Sequence, residues 1–135
     1  MKGIVADINI QGIVDQLVVR MKAEPWELFW SSLQLKYLHF ADVRLDPSAL
    51  DSRVWETCQK EELVLVTDNR NQRGLDSLET TIQLLNTPNC LPVFTIANVP
   101  HLRRSRDYAD RVIDKMLDSL LRIDTLRGTG RLYLP

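Results

Sequence analysis

Residues 63–74 read LVLVTDNRNQRG. The first five, Leu63 to Thr67, are the most apolar short run of the chain, and Asp68, Asn69, Arg70 and Asn71 follow without a break. A continuous apolar run of this length fits a strand covered by helices on both faces, as in a parallel sheet. A strand that empties straight into a carboxylate and amides is either an ordinary turn, because Asp and Asn side chains bond to local backbone, or the working edge of a sheet.

The pattern repeats on both sides of this stretch. Towards the N-terminus, Asp51 is placed to cap a helix over 52–61 with Val54 and Trp55 facing inward. Before it lie a polar loop, DVRLDPSALD, and an alternating strand over 35–40, LKYLHF. Residues 10–23 carry Ile13, Leu17, Val18 and Met21 at helical spacing, and 2–6, KGIVA, form a first short strand. Pro25 ends that helix, and the aromatic segment 25–34 takes no clear assignment. Towards the C-terminus, a helix opens at Asp76 or Ser77 and runs to about Leu85. A strand over 91–96, a long helix over 103–124 and a last strand over 131–134 follow. Strands alternating with helices predict a three-layer α/β/α fold, Rossmann-like, with a mainly parallel central sheet. The 135 residues, 44% of them apolar, fit a single domain over 1–135.

Composition narrows the function. A net charge of −1 gives no global attraction to nucleic acid or acidic membranes, so any anion-binding surface must be a local patch. Cys58 and Cys90 are too few for a disulfide framework, lack zinc spacing and are read as buried thiols. The N-terminus is not read as a signal peptide, and no apolar stretch reaches the ~20 residues that span a bilayer. A soluble cytoplasmic protein is expected.

In open parallel sheets, sites form beyond the carboxyl ends of the strands. Asp7 and Asn9 follow the first strand. Asp42 and Asp46 follow the second, and Asp51 opens the next helix. Asp68, Asn69, Asn71 and Asp76 follow the third, and Asn98 the fourth. Converging carboxylates repel one another unless a cation neutralises them, and oxygen ligands suit Mg²⁺ or Mn²⁺. The bland alternative is turn chemistry, with Asp51 a helix cap and Asp46 a turn residue before Pro47. Which of Asp42, Asp46 and Asp51 belongs to a site is open at this stage.

Three short motifs carry a family resemblance. Asp7-Ile8-Asn9 closes the first strand, Asp51 opens the helix SRVWETCQKEE, and the third strand ends LVTDN. In these the chain resembles the PIN-like nuclease superfamily, most of all the small bacterial proteins grouped with the Mut7-C and DUF5615 families. The likeness spans roughly residues 1–96. It implies metal-binding and catalytic acids at Asp7, Asp51 and Asp68, with Asp76 as a fourth ligand. Asn9, Asn69 and Asn71 would support them, and Arg70 and Arg73 would bind phosphate. It implies a toxin-like, Mg²⁺- or Mn²⁺-dependent ribonuclease, with RNA as substrate, a cognate antitoxin or other protein as partner, and a homo-oligomer such as a homodimer. The sequence departs from the family at Ile8, where the middle acid of Asp-Glu-Asn would stand, and at Asn69, where relatives often carry Asp. Both changes remove negative charge, and they favour a second reading: a catalytically inactive PIN-like module that binds protein or RNA.

Other features have simpler expected roles. Arg103, Arg104 and Arg106 precede the long helix, and Arg127 and Arg131 bracket Gly128-Thr129-Gly130. These are expected to be phosphate contacts if they share a face with the acids, and salt-bridge partners otherwise. Asp110, Asp114 and Asp118 form an acidic ladder expected to face solvent, with Asp107–Arg111 and Asp118–Arg122 as helical pairs. Trp26, Phe29 and Trp30 are expected in the core or a dimer interface. His39 and His101 lack partners at metal-site spacing, and no GxxxxGK[ST] is present.

Overall fold

The computed structural model describes residues 1–135, and its strands are β1 (Gly3–Ala6), β2 (Lys36–Leu38), β3 (Leu63–Thr67), β4 (Val93–Ile96) and β5 (Arg131–Leu134). The helices are α1 (Gln11–Met21), α2 (Glu27–Leu33), α3 (Asp51–Lys60), α4 (Leu78–Leu85), α5 (Val99–Arg104), α6 (Arg106–Leu121) and α7 (Ile123–Leu126), with short 3-10 turns at Ile8–Ile10 and Phe40–Val43. All strand pairs are parallel, in the order β2-β1-β3-β4-β5. Helices cover both faces, so the expected three-layer α/β/α architecture is present. No helix is long and apolar enough to cross a membrane.

Alternation along the strands divides the core in two. Ile4 and Ala6 of β1, Val64 and Val66 of β3, and Phe94 and Ile96 of β4 join a cluster of 24 buried residues with α1, α2 and α6. Val5, Leu63, Leu65 and Val93 point the other way, into a cluster of 11 with α3 and α4. The second layer is therefore the thinner one, and it leaves room for a cavity at its upper end. The chain starts in β1, adds β2 on one side, then crosses to β3 on the other. Val5 accordingly lies between Leu38 and Leu65. This reversal between β1 and β3 opens a crevice beyond their carboxyl ends, the place where ligands bind in sheets of this kind.

The structure revises several local expectations. The helix expected over 103–124 is three helices, because Ser105 adopts extended backbone (φ −122°, ψ 115°) and its hydroxyl accepts from Tyr108 N to start α6. Asn98 caps α5 by accepting from His101 N. The unassigned aromatic segment forms α2, whose Trp30 is buried while Phe29 is 51% exposed. Cys58 is buried, but Cys90 is only half-buried and lies against the Thr87 hydroxyl. The acidic ladder is more than a solvated face: Asp110 pairs with Arg20 of α1, and Asp114 accepts from Trp26 Nε1 at 2.7 Å. Asp118 pairs with Arg122 as expected, whereas Arg111 lies over the Tyr108 ring instead of pairing with Asp107. Gly128 and Gly130 both take positive φ (87° and 85°), which lets the chain turn tightly into β5.

Candidate functional site

Asp7 directly follows β1, where the strand's burial carries over into the side chain. The residue is 8% exposed. Its Oδ2 accepts from the Thr67 hydroxyl at 2.6 Å, and its Oδ1 receives only a long contact of 3.4 Å from Asn9 N. Thr67, the last residue of β3, is fully buried, and its Oγ1 also accepts from Asn69 N at 2.9 Å. One hydroxyl thus ties the Asp7 carboxylate to the start of the loop after β3. Burial pushes the Asp7 carboxyl above its ordinary value. The hydrogen bonds from Thr67 and Asn9 oppose that shift, and the charges of Asp68 and Asp51 add to it.

Asp51 does not cap α3. It is the first helical residue, after an N-cap at Leu50 that makes no side-chain bond. Its Oδ2 instead accepts from Asn69 Nδ2 at 2.9 Å and from Leu78 N, at the start of α4, at 3.1 Å. Ser77 caps α4, accepting from Thr80 N at 3.2 Å. Asn69 Oδ1 accepts from Asn71 N, and Asn71 Oδ1 from Arg73 N. The loop after β3 is therefore a chain of side-chain-to-backbone turns anchored at Thr67 and Asp51. Arg131, whose side chain is 6% exposed, fixes the same loop from below. It donates to the Asn69 carbonyl at 2.9 Å and to Thr95 Oγ1 at 2.7 Å, and it pairs with Glu79 at 2.9 Å.

Asp7, Asn9, Asp51 and Asn69 line one small cavity of about 70 Å³, with Phe40 and Leu78 among the apolar residues of its wall. No Lys, Arg or His lines it. Of the three acids left open by the sequence, only Asp51 reaches it. Asp42 accepts from His39 N, and Asp46 from the amide and hydroxyl of Ser48, both as local turn residues. Asp68 is half-buried beside the cavity and acts on Asp7 through its charge. Asp76 lies in the neighbouring open depression with Asn71 and Arg73, and accepts from the Ser52 hydroxyl at 3.3 Å. Arg70 and Arg73 are exposed and make no ion pair.

No three His, Cys, Asp or Glu side chains are gathered closely enough to form a ready metal cluster. The donors are instead two carboxylates, Asp7 with Oδ2 held by Thr67 and Oδ1 in only a long contact, and Asp51 with Oδ2 accepting twice. The Asn9 amide lies beside them, and the Asn69 amide is already engaged by Asp51 and Asn71 N. Such a set fits a hard cation that keeps much of its water, which is how Mg²⁺ binds through one or two carboxylates. It does not fit an ion that demands a dehydrated all-protein cage.

Sequence reasoning missed Thr67, and it saw Arg131 only as a phosphate contact or salt-bridge partner: the pair with Glu79 is as expected, the hold on the Asn69 carbonyl is not. Thr67 holds Asp7, and its signal was visible: it is the one polar residue in LVLVT. Arg131 holds the loop from β5, and nothing in its local sequence distinguishes it from other arginines. No family model matches the chain, and no curated protein or solved structure is significantly similar to it.

Proposed function

We propose that this chain is a PIN-like phosphodiesterase that hydrolyses RNA with Mg²⁺ or Mn²⁺ held by Asp7 and Asp51. One observation carries the reading. Two carboxylates, one of them almost wholly buried, share a small cavity that has no basic residue, at the crevice where the sheet order reverses. Asp7 caps the short turn after β1 and accepts from Thr67, but holding a buried carboxylate near two others still costs stability, and a cation between them would offset that cost. The short motifs around Asp7, Asp51 and Asp68 resemble the PIN-like pattern, which supports RNA as the substrate.

When bound, the ion would supply an activated water and neutralise charge on the phosphate. The chain's own residues prepare the site. Thr67 and Asn69 fix the directions of the Asp7 and Asp51 carboxylates before any substrate arrives, so little reorganisation is left for the reaction. The Asn9 side chain lines the same cavity and would be available to a phosphate oxygen, whereas the Asn69 amide is already engaged by Asp51 and Asn71 N. Asp68 adds charge at the rim, and Arg70 and Arg73 on the same loop are free to hold a neighbouring phosphate.

The alternative is a catalytically inactive PIN-like module. It is favoured by the bonds already made by Asp51 Oδ2, which accepts twice within the protein, and by the neutral Ile8 and Asn69. Cleavage of a labelled single-stranded RNA, assayed with Mn²⁺ or Mg²⁺, separates the two. The nuclease reading expects cleavage that EDTA abolishes and that Asp7→Asn lowers at least ~100-fold, the scale of removing one preorganised group from an active site. It also expects Mn²⁺ to raise the melting temperature of the wild type and not of Asp7→Asn. Neither cleavage nor a metal-dependent melting shift in the wild type would leave only the inactive module.

A further inference from the structure

Ser105 turns the chain between α5 and α6 so that Arg103, Arg104 and Arg106 surround one open depression of about 430 Å³, with Arg20 of α1 on its far side. Arg20 is neutralised by Asp110. The other three are exposed and make no ion pair. Arg106 is moreover the first residue of α6, where the helix dipole already disfavours a cation. Three exposed cations within four residues, followed by the single acid Asp107, make a locally positive patch on a chain whose net charge is −1.

The patch is continuous with the candidate site. Arg103 also lines a second depression, of about 210 Å³, together with Asn9, Gly12 and Gln16. Asn9 in turn lines the Asp7 cavity. A single track therefore runs from Asp7 over Asn9 to Arg103 and on to Arg104 and Arg106. By contrast, Arg127 and Arg131 are consumed by ion pairs with Glu62, Asp124 and Glu79.

We infer that this track binds the sugar–phosphate backbone of a single-stranded nucleic acid, with Arg103, Arg104 and Arg106 contacting phosphates next to the one at Asp7. The link to Asp7, and with it the choice of a single strand, rests on the phosphodiesterase reading; the arginine surface itself does not. A single strand is specified because Asp7 is 8% exposed in a cavity of about 70 Å³, which a flexible backbone can bend into and a rigid duplex cannot. Contacts of this kind go to phosphate, so binding is salt-dependent and tolerant of sequence.

The test is fluorescence anisotropy with a short labelled single-stranded RNA in EDTA, where no cleavage interferes. It compares wild type with Arg103→Ala/Arg104→Ala/Arg106→Ala and, as a control, Arg122→Ala. The triple variant is expected to bind at least about tenfold more weakly. Its slope of log affinity against log salt is expected to fall by about 2, since each phosphate left without its arginine lowers the slope by roughly 0.7. Arg122→Ala is expected to match wild type. All three arginines are exposed, and circular dichroism checks that the variant is folded. Unchanged affinity in the folded triple variant overturns the proposal. So does competition by polyglutamate as strong as by RNA of equal charge, which would point to an acidic peptide. Weakened binding in the triple variant without metal-dependent cleavage by wild type keeps the surface and removes the hydrolase. Cleavage by wild type and triple variant at equal rates does the reverse.

Discussion

At the scale of single residues, Asp7 is held in a state that costs stability. Its raised pKa means that the folded chain binds the proton more tightly than the unfolded chain does. Without a cation, its contribution is therefore most favourable in acid, below the ordinary carboxylate value of 3.8, and is lost as pH rises through the folded value. Asp7→Asn keeps an oxygen for the Thr67 hydroxyl and removes the charge. In EDTA it is expected to melt higher than wild type at pH 7, with the difference vanishing towards pH 3. Melting curves across that range check it, and a variant less stable than wild type at pH 7 would mean that the carboxylate is a structural ligand of the fold. Thr67 gives the complementary case. Thr67→Val preserves shape and strips the donor from Asp7 and the acceptor from Asn69 N, which is expected to destabilise by about 1–3 kcal/mol. Thr67→Ser retains the hydroxyl and is expected to lose much less. Urea unfolding of the pair separates the bond from the packing.

At the scale of elements, the loop after β3 depends on β5 through one side chain. Arg131 joins the Asn69 carbonyl, the Thr95 hydroxyl and Glu79. Arg131→Met fills similar space and leaves those groups unpartnered, at an expected cost of about 1.5–3 kcal/mol, the range for hydrogen bonds to a charged group, since Glu79 stays 23% exposed and can be rehydrated. Amide exchange in 68–77 is expected to accelerate more than in α6; uniform acceleration would mean that Arg131 stabilises the sheet generally and not the loop. β1 and β2 have their own marker. A Cβ on Gly3 would overlap the Lys36 carbonyl, so Gly3→Ala is expected to force the edge strand away. The elements themselves were largely legible, because burial on both faces leaves an apolar run and helical cores leave a stripe, as at Leu63–Thr67 and along α6. What escaped were decisions made by single polar side chains. Ser105 breaks a stripe that stays apolar on both sides, and Asp51 looks like a cap until Asn69, 18 residues away, takes its oxygen.

At the scale of the whole molecule, the alternation of elements was enough to predict parallel pairing, but not the order β2-β1-β3-β4-β5 or the unequal thickness of the two layers. Those depend on contacts across the fold, and they decide that Asp7 and Asp51 meet while Asp42 and Asp46 do not. The thin layer can be tested through its own thiol. Cys58 of α3 is 1% exposed, in the same cluster as Val5, Trp55 and Leu65. Burial, reinforced by the nearby Asp7 charge, pushes its pKa up to about 12. The thiolate is the reactive species, so at pH 8 only about one molecule in ten thousand carries it while folded. In a Cys90→Ala variant, Cys58 is expected to react with a disulfide reagent only when the chain opens, at a rate that climbs with urea along the global unfolding curve. In Cys58→Ala, the half-buried Cys90 is expected to react in native buffer. If Cys58 instead reacts at low urea, well below the unfolding midpoint, the α3–α4 layer opens as a separate unit. The cavity that carries Asp7 and Asp51 would then open with it, and the carboxylates would not be held in advance of substrate as the proposed chemistry requires.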